Sequence, residues 1–446
     1  MIFIPGLAAA AAMLASPAEP DVSRHQFCAA MTFRETPFSD MRCARELAAD
    51  ALGDRKYFRL SYDADGRLVE VSFRQNGALR AHEGRFVRAP MIRIAYEPGQ
   101  EIRRYYDEHG NRTLVSGNVY ETRFTLSDEN ERLTARFFGI EGEAVEDHFG
   151  IARYAWSVDP HAVVTEHRYD IAGNITRNRP GFGYFVTRFH FDADGLLRRM
   201  ENWGEDGVAP VPDDAGIVAT EIRYNDHAQF TRWRNLGEDG QARRGMSAIA
   251  EIRYDPGPYY SEQRADFIDA DGSPQATRWG AHTVAYSFDR FGNPVERRFL
   301  DADGARVTVN NGTAQVRSRW SDDGAVLLED AYFDADGNAV ARSDTGIHAY
   351  RSRIDGAGRI VETVSVNLAG EPVTDPATGY ARRHILFDDA GRQTGQRFSD
   401  AAGQSVDHAV WGFAEVRYSH DGRELTGVTY RNAAGEAVQP VWNPAH

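Results

Sequence analysis

From about residue 52 onward the chain is a tandem repeat, and this periodicity constrains its fold more than any other feature. One copy reads GTAQVRSRWSDDGAVLLEDAYFDADGNAV (312–340) and the next GIHAYRSRIDGAGRIVETVSVNLAGEPV (346–373). They are followed by GYARRHILFDDAGRQTGQRFSDAAGQSV (379–406) and GFAEVRYSHDGRELTGVTYRNAAGEAV (412–438). Each copy opens on Gly and runs to an aromatic or aliphatic residue. It then turns through an Asp-rich stretch ending in Gly, runs again, turns again, and closes on Val. The residue ending the first run marks the period: Tyr62, Tyr96, Leu126, Trp156, Phe191, Tyr224, Tyr254, Phe288, Trp320, Ile354, Phe387 and Tyr418, spaced 30 to 35 residues apart. Twelve units of about 33 residues fill 52–446, which leaves no space for a separate catalytic domain.

Within a unit the runs alternate. In AIAEIRYD (248–255), Ala248, Ala250, Ile252 and Tyr254 share one face, and Glu251 and Arg253 the other. VATEIRY (218–224) and FAEVRYS (413–419) repeat the pattern. A period of two rich in β-branched and aromatic residues is a half-buried strand. The recurring Glu-x-Arg places opposite charges on the solvated face, where neighbouring strands can pair them. DADG occurs five times, ending at Gly66, Gly195, Gly272, Gly304 and Gly337, and DDAG ends at Gly391. Asp accepts hydrogen bonds from nearby backbone N–H groups and Gly takes the positive φ of a tight turn. The expected fold is therefore all-β: tandem hairpins in an elongated or spiralling antiparallel assembly, with a β-propeller as the alternative closure. The one helix expected runs from Ser39 to Leu52, capped by Ser39 or Asp40.

The N-terminus has a different character. Residues 1–18 have the make-up of a signal peptide: Ile2 to Leu14 is apolar or small, and Ser16-Pro17-Ala18 supplies a small-x-small cleavage pattern. No Lys or Arg precedes Arg24, and the apolar stretch is too short to span a bilayer. Export to the periplasm, cell surface or medium is expected. Residues 19–51 form a separate segment holding both cysteines, Cys28 and Cys43, which an oxidising compartment would join. The net charge of −15 argues against non-specific nucleic-acid or anionic-membrane binding. Lys56 is the only lysine beside fifty arginines.

At YDIAGN (169–174), FDADGL (191–196) and FDRFGN (288–293) the unit resembles the tyrosine–aspartate repeats of bacterial Rhs-type and teneurin-like proteins, whose core is Tyr-Asp-x-x-Gly-Asn/Arg. The resemblance covers a few positions per unit over roughly 52–440. It implies a spiralling antiparallel sheet, often a shell around a toxin. The unit here is longer, with two turns, and no toxin-like region follows it. Longer repeats of the form G-Y-A…Y-D-x-x-G-N…D-x-x-G-x-P-V, found in bacterial surface proteins, are the nearer match.

No sequence motif for catalysis appears. H-E-x-x-H, G-x-S-x-G, a P-loop and a dinucleotide-binding glycine pattern are all missing, and GFG at 181–183 reads as a turn. DADG invites a calcium reading, but no copy continues to the further ligands of a calcium loop, so no cofactor is expected. Most aromatics are expected in the core. Tyr259, Tyr260, Trp411 and Trp442 are the candidates for an exposed face that stacks on sugars or a peptide. The reading is an exported, non-catalytic binding or scaffold protein with a protein or polysaccharide ligand. The alternatives are a polymorphic-toxin shell fragment and a carbohydrate-active enzyme with an unmarked carboxylate pair.

Overall fold

The computed structural model describes residues 20–81, 89–178 and 183–441. The leader at 1–18 and Trp442 lie outside them, as do the first two residues of GFG. The fifth unit shows how the sequence builds a hairpin. Val186–Phe191 pairs antiparallel with Leu197–Trp203, with Phe189 opposite Met200 and a register shift beside Phe191. Between them lies Asp192-Ala193-Asp194-Gly195. The Asp192 carboxylate accepts the backbone N–H of Asp194 at 3.0 Å and of Leu196 at 2.9 Å. Burial opposes its ionisation, but those N–H groups and Arg198 hold the carboxyl below the usual range. Gly195 N–H closes the turn on the Asp192 carbonyl, with φ at +72°. Gly66, Gly272, Gly304, Gly337 and Gly391 also have positive φ. One Asp of each turn is thus engaged by its own backbone.

The hairpins join edge to edge into one antiparallel sheet of 27 strands, which does not close. Its last strand is Glu424–Arg431. At its other end β1 (Arg24–Met31) lies between β2 (Cys43–Leu47) and β3 (Lys56–Tyr62), and β3 pairs onward with β4 (Leu68–Gln75). This is a continuous spiral rather than the separate blades of a propeller. The sheet curls back on itself. Lys56 N–H donates to the Phe291 carbonyl at 2.9 Å, and Gln75 donates to the Asp323 carbonyl at 2.8 Å, so the first unit lies beside the eighth and ninth. Further along, Arg112 N–H meets the Arg423 carbonyl at 2.9 Å and Tyr430 donates to Asn118 at 2.8 Å, which brings the last unit beside the loop after the second.

The two faces of the sheet divide as the alternation requires. Outside, each glutamate bridges an arginine of its own strand and one of the neighbouring strand: Glu251 to Arg253 at 2.6 Å and Arg232 at 3.0 Å, and Glu70 to Arg74 at 3.5 Å and Arg59 at 2.7 Å. Guanidinium forks suit one carboxylate shared between strands better than ammonium groups do. Inside, the period-marking residues and those two and four before them face the axis of the spiral.

The helix expected over Ser39–Leu52 does not form. Cys43–Leu47 is a strand paired with β1, Phe27 opposite Leu47 and Met31 opposite Cys43. Only Ala49–Ala51 makes a single 3-10 turn. The cause is tertiary. Cys43 is disulfide-bonded to Cys28 on the neighbouring strand, and residues 32–42 are drawn into the core ahead of it. Packing of this kind overrides the helix propensity of an Ala-rich stretch, which is worth only tenths of a kcal/mol per residue.

Candidate functional site

The segment between β1 and β2 fills the first winding of the spiral. Phe33 stacks on Phe230 with ring centroids 4.7 Å apart, and Phe38 lies 5.7 Å from Trp156 and 6.1 Å from Phe191. Polar groups of the segment match polar groups on the inner wall. The Thr36 hydroxyl donates to Glu166, Asn178 donates to Glu35 at 3.1 Å, and Arg132 donates to the Phe38 carbonyl at 2.6 Å. Glu166 also accepts from Trp156 at 2.8 Å and from Arg168 at 2.5 Å, so this buried carboxylate has its charge and lone pairs matched. One hydrophobic cluster runs through the winding from Cys28 to Ile222.

The second winding has no such filling among the described residues. It surrounds a chamber of about 1710 Å³. Tyr254, Trp320, Ile354 and Phe387, all period-marking residues, line its wall. Phe33 and Phe73 form its boundary with the filled winding. Small-molecule pockets typically span about 300–1,000 Å³, so this chamber is larger than a drug-sized ligand needs.

Two of the aromatics singled out in the sequence belong to this chamber. Tyr259 and Tyr260 are half-buried and do not stand on an exposed sheet face. Tyr259 packs on Phe288 at 5.2 Å with the Arg55 guanidinium 5.1 Å over its ring. Tyr260 sits edge-on to Phe73 at 5.2 Å, and burial raises its phenol pKa. The pair comes from an insertion between the two strands of the seventh unit, which turns inward to reach the first. Trp411 is elsewhere, stacked 3.9 Å from His408 in a small core near the C-terminus. Burial there lowers the His408 pKa to about 4.

The site also contains Lys56, on the inner face of β3, only 3% exposed. Its ammonium lies 4.2 Å from the centre of the Trp320 ring. Burial lowers its pKa to about 8, with Asp289 opposing and Arg80 assisting. Arg80, Arg359 and Arg383 also line the chamber, Arg383 from a strand of the eleventh unit. Lys56 stands out in the sequence only as the sole lysine, and Arg383 only by comparison with the same position in other units. Among the described residues no group of three or more His, Cys, Asp or Glu is arranged to hold a metal ion.

No protein-family model and no curated protein matches the chain. Among solved structures, a TcdB2–TccC3 crystal structure aligns over 85% of this chain and 22% of its own length, with 10% identity and a TM-score of 0.24. The Photorhabdus luminescens Tc holotoxin pore aligns over 88% of this chain and 28% of its own, with 10% identity and a TM-score of 0.14. A porin-like protein from Bacteroides uniformis aligns over 62% of this chain and 88% of its own, with 11% identity and a TM-score of 0.18. The chain thus spans about a quarter of the length of the Tc chains it matches. At TM-scores this far below 0.5 the likeness transfers neither fold nor function.

Proposed function

We propose that the chain is an exported, non-catalytic repeat scaffold that retains a ligand inside its second winding. The observation that carries this reading is the chamber of about 1710 Å³, walled by the same repeat positions that the N-terminal segment covers in the first winding. Aromatic walls hold an apolar guest by area and by ring contacts worth about 0.5–1.5 kcal/mol each beyond area. Export is supported by the signal-like residues 1–18 and by the pairing of Cys28 with Cys43, since disulfides persist in oxidising compartments.

A shell around a polypeptide, as in a toxin-system fragment, is the second reading. What favours it is that the first winding already wraps a stretch of polypeptide, residues 32–42. Both readings require a chamber that admits an apolar ligand. Anilinonaphthalene sulfonate should bind with energy transfer from Trp320, and Ile354→Arg, which places a charge in the wall, should abolish that signal with the melting curve intact. Unchanged transfer in a folded Ile354→Arg protein would place the binding elsewhere and defeat the proposal.

A further inference from the structure

We infer that Arg383 is a carboxylate anchor, and that the guest of the chamber is a peptide segment bearing an acidic group among aromatic side chains. The inference rests on the reading that the chamber holds a guest, and makes it chemically specific.

The residue four before each period-marking residue faces the spiral axis. Along the chain these residues are Phe58, Ile92, Thr122, Ala152, Thr187, Thr220, Ala250, Val284, Val316, Tyr350, Arg383 and Ala414. Eleven are uncharged, and the twelfth is Arg383. In the sheet Arg383 stands opposite Phe398 on one side and Thr363 on the other, so neither cross-strand neighbour supplies a counter-charge. Its side chain forms no ion pair and no hydrogen bond among the described residues, and its electrostatic neighbours are the phenols of Tyr380 and Tyr418.

Inner-wall arginines of the first winding are treated differently. Arg103 is held by Glu101 at 2.6 Å, and Arg168 by Glu166 at 2.5 Å. A partly buried guanidinium without an anion is costly, and a carboxylate is its geometric complement. The inner arginines Arg103 and Arg168 of the first winding are paired with carboxylates, whereas Arg383 faces the chamber without one and so presents a recognition element.

Two observations select a peptide. The chamber exceeds the usual size for a small ligand. The equivalent wall of the first winding already binds a polypeptide segment, turned at Thr36–Ser39, whose phenylalanines meet aromatic side chains while its polar groups meet Glu166 and Asn178. The inferred guest uses the same two kinds of contact, with its charge opposite to that of Arg383.

The test uses the full chain and three probes: acetyl-Phe-Glu-Phe-Leu-amide, the same peptide with Gln in place of Glu, and dodecanoate. Binding is read from tryptophan fluorescence and calorimetry. The acidic peptide should bind about tenfold more tightly than the Gln peptide, the scale of one charge-assisted hydrogen-bond pair. In Arg383→Gln the two should bind alike, and Arg383→Lys should restore part of the difference. Because Arg383 has no partner to lose, Arg383→Gln should melt no lower than the wild type, which separates lost recognition from lost folding. If both peptides bind the wild type equally, the anchor is wrong and the chamber reading stands. If none of the three probes binds, both are overturned. If dodecanoate binds through Arg383 and the peptides do not, the peptide assignment is overturned.

Discussion

Two halves of one repeat array have different interiors. The residue two before each period-marking residue is Leu60, Ile94, Phe124, Tyr154, Phe189 and Ile222 in the first six units, and every one is buried. In the last six it is Ile252, Tyr286, Ser318, Ser352, Ile385 and Val416, of which only Val416 is buried. Strand length, turn chemistry and outer ion pairs hardly change between the halves. What changes is what lies on the axis: the N-terminal segment in the first, a chamber in the second. A single cluster accordingly unites the first winding, whereas the second breaks into small local clusters such as those around Phe299, Tyr332 and Phe398. The hairpin is thus a wall unit, and its stability depends on the filling it faces.

The largest expected effect tests that contrast directly. Phe189→Ala, at a fully buried position, should cost about 3–5 kcal/mol by loss of transfer energy and creation of a cavity. Ile385→Ala, at the equivalent position of the eleventh unit, removes a side chain only partly withdrawn from water and should cost about 1 kcal/mol. Urea unfolding measures both. Equal costs would mean that the interiors are energetically alike and the contrast is superficial.

The next effect lies where the two windings meet, at Lys56. Its folded pKa of about 8 is below the ordinary value of 10.5, so between those values the unfolded chain holds the proton more readily. Stability should therefore be constant below about pH 8 and rise with pH from there to about 10.5, by up to about 3 kcal/mol. The raised phenol pKa values, such as that of Tyr96 at about 12, act in the opposite sense above pH 10. The informative quantity is the wild type minus Lys56→Met, which should grow across the window. A flat difference would mean that the amine is solvated and the seam is open.

The smallest effect concerns cooperativity. Gly195→Val and Gly337→Val introduce a β-branched residue at φ +72° and +87°, a strain of about 1–3 kcal/mol at each. The difference should lie in its reach. Gly195 lies beside Arg42 of the N-terminal segment, whose side chain a Cβ would meet at 2.8 Å, so damage there should spread through the first winding. Around Gly337 the small clusters should confine it, with proteolysis near residues 320–350 and protection elsewhere. Identical cleavage maps would show that the array unfolds as one unit.

Much of the wall is legible in the sequence because its causes are local. Asp192 and Gly195 encode their turn within five residues, and Glu251 with Arg253 announces an outer face within three. The stretch from Ser39 to Leu52 is not legible in this way. Its capping residues and alanines favour a helix, and only the bond from Cys43 to Cys28, the burial of Met41 and the packing of Phe38 on the core hold it otherwise. The chamber is illegible for the same reason. The hydrogen bond from Lys56 to the Phe291 carbonyl joins residues more than two hundred positions apart, and no local pattern specifies it. Tyr259 and Tyr260 read as exposed because an insertion beside prolines resembles a surface loop, whereas Phe73 of the first unit waits on its inner side. Arg383 is an intermediate case: the sequence contains the signal, but only once the units are aligned position by position.

The seam has a consequence for how such a chain can change length. Like a screw thread, the spiral has a pitch, fixed where the first unit meets the eighth and ninth. Duplicating or deleting one hairpin between them would carry Lys56 past Phe291 and Gln75 past Asp323, and every contact along the seam would be out of step. A hairpin gained beyond the twelfth unit disturbs none of those contacts, whereas loss of the twelfth removes its own contacts with Arg112 and Asn118. Growth in unit number is therefore tolerable at the C-terminal edge and forbidden within the first full turn.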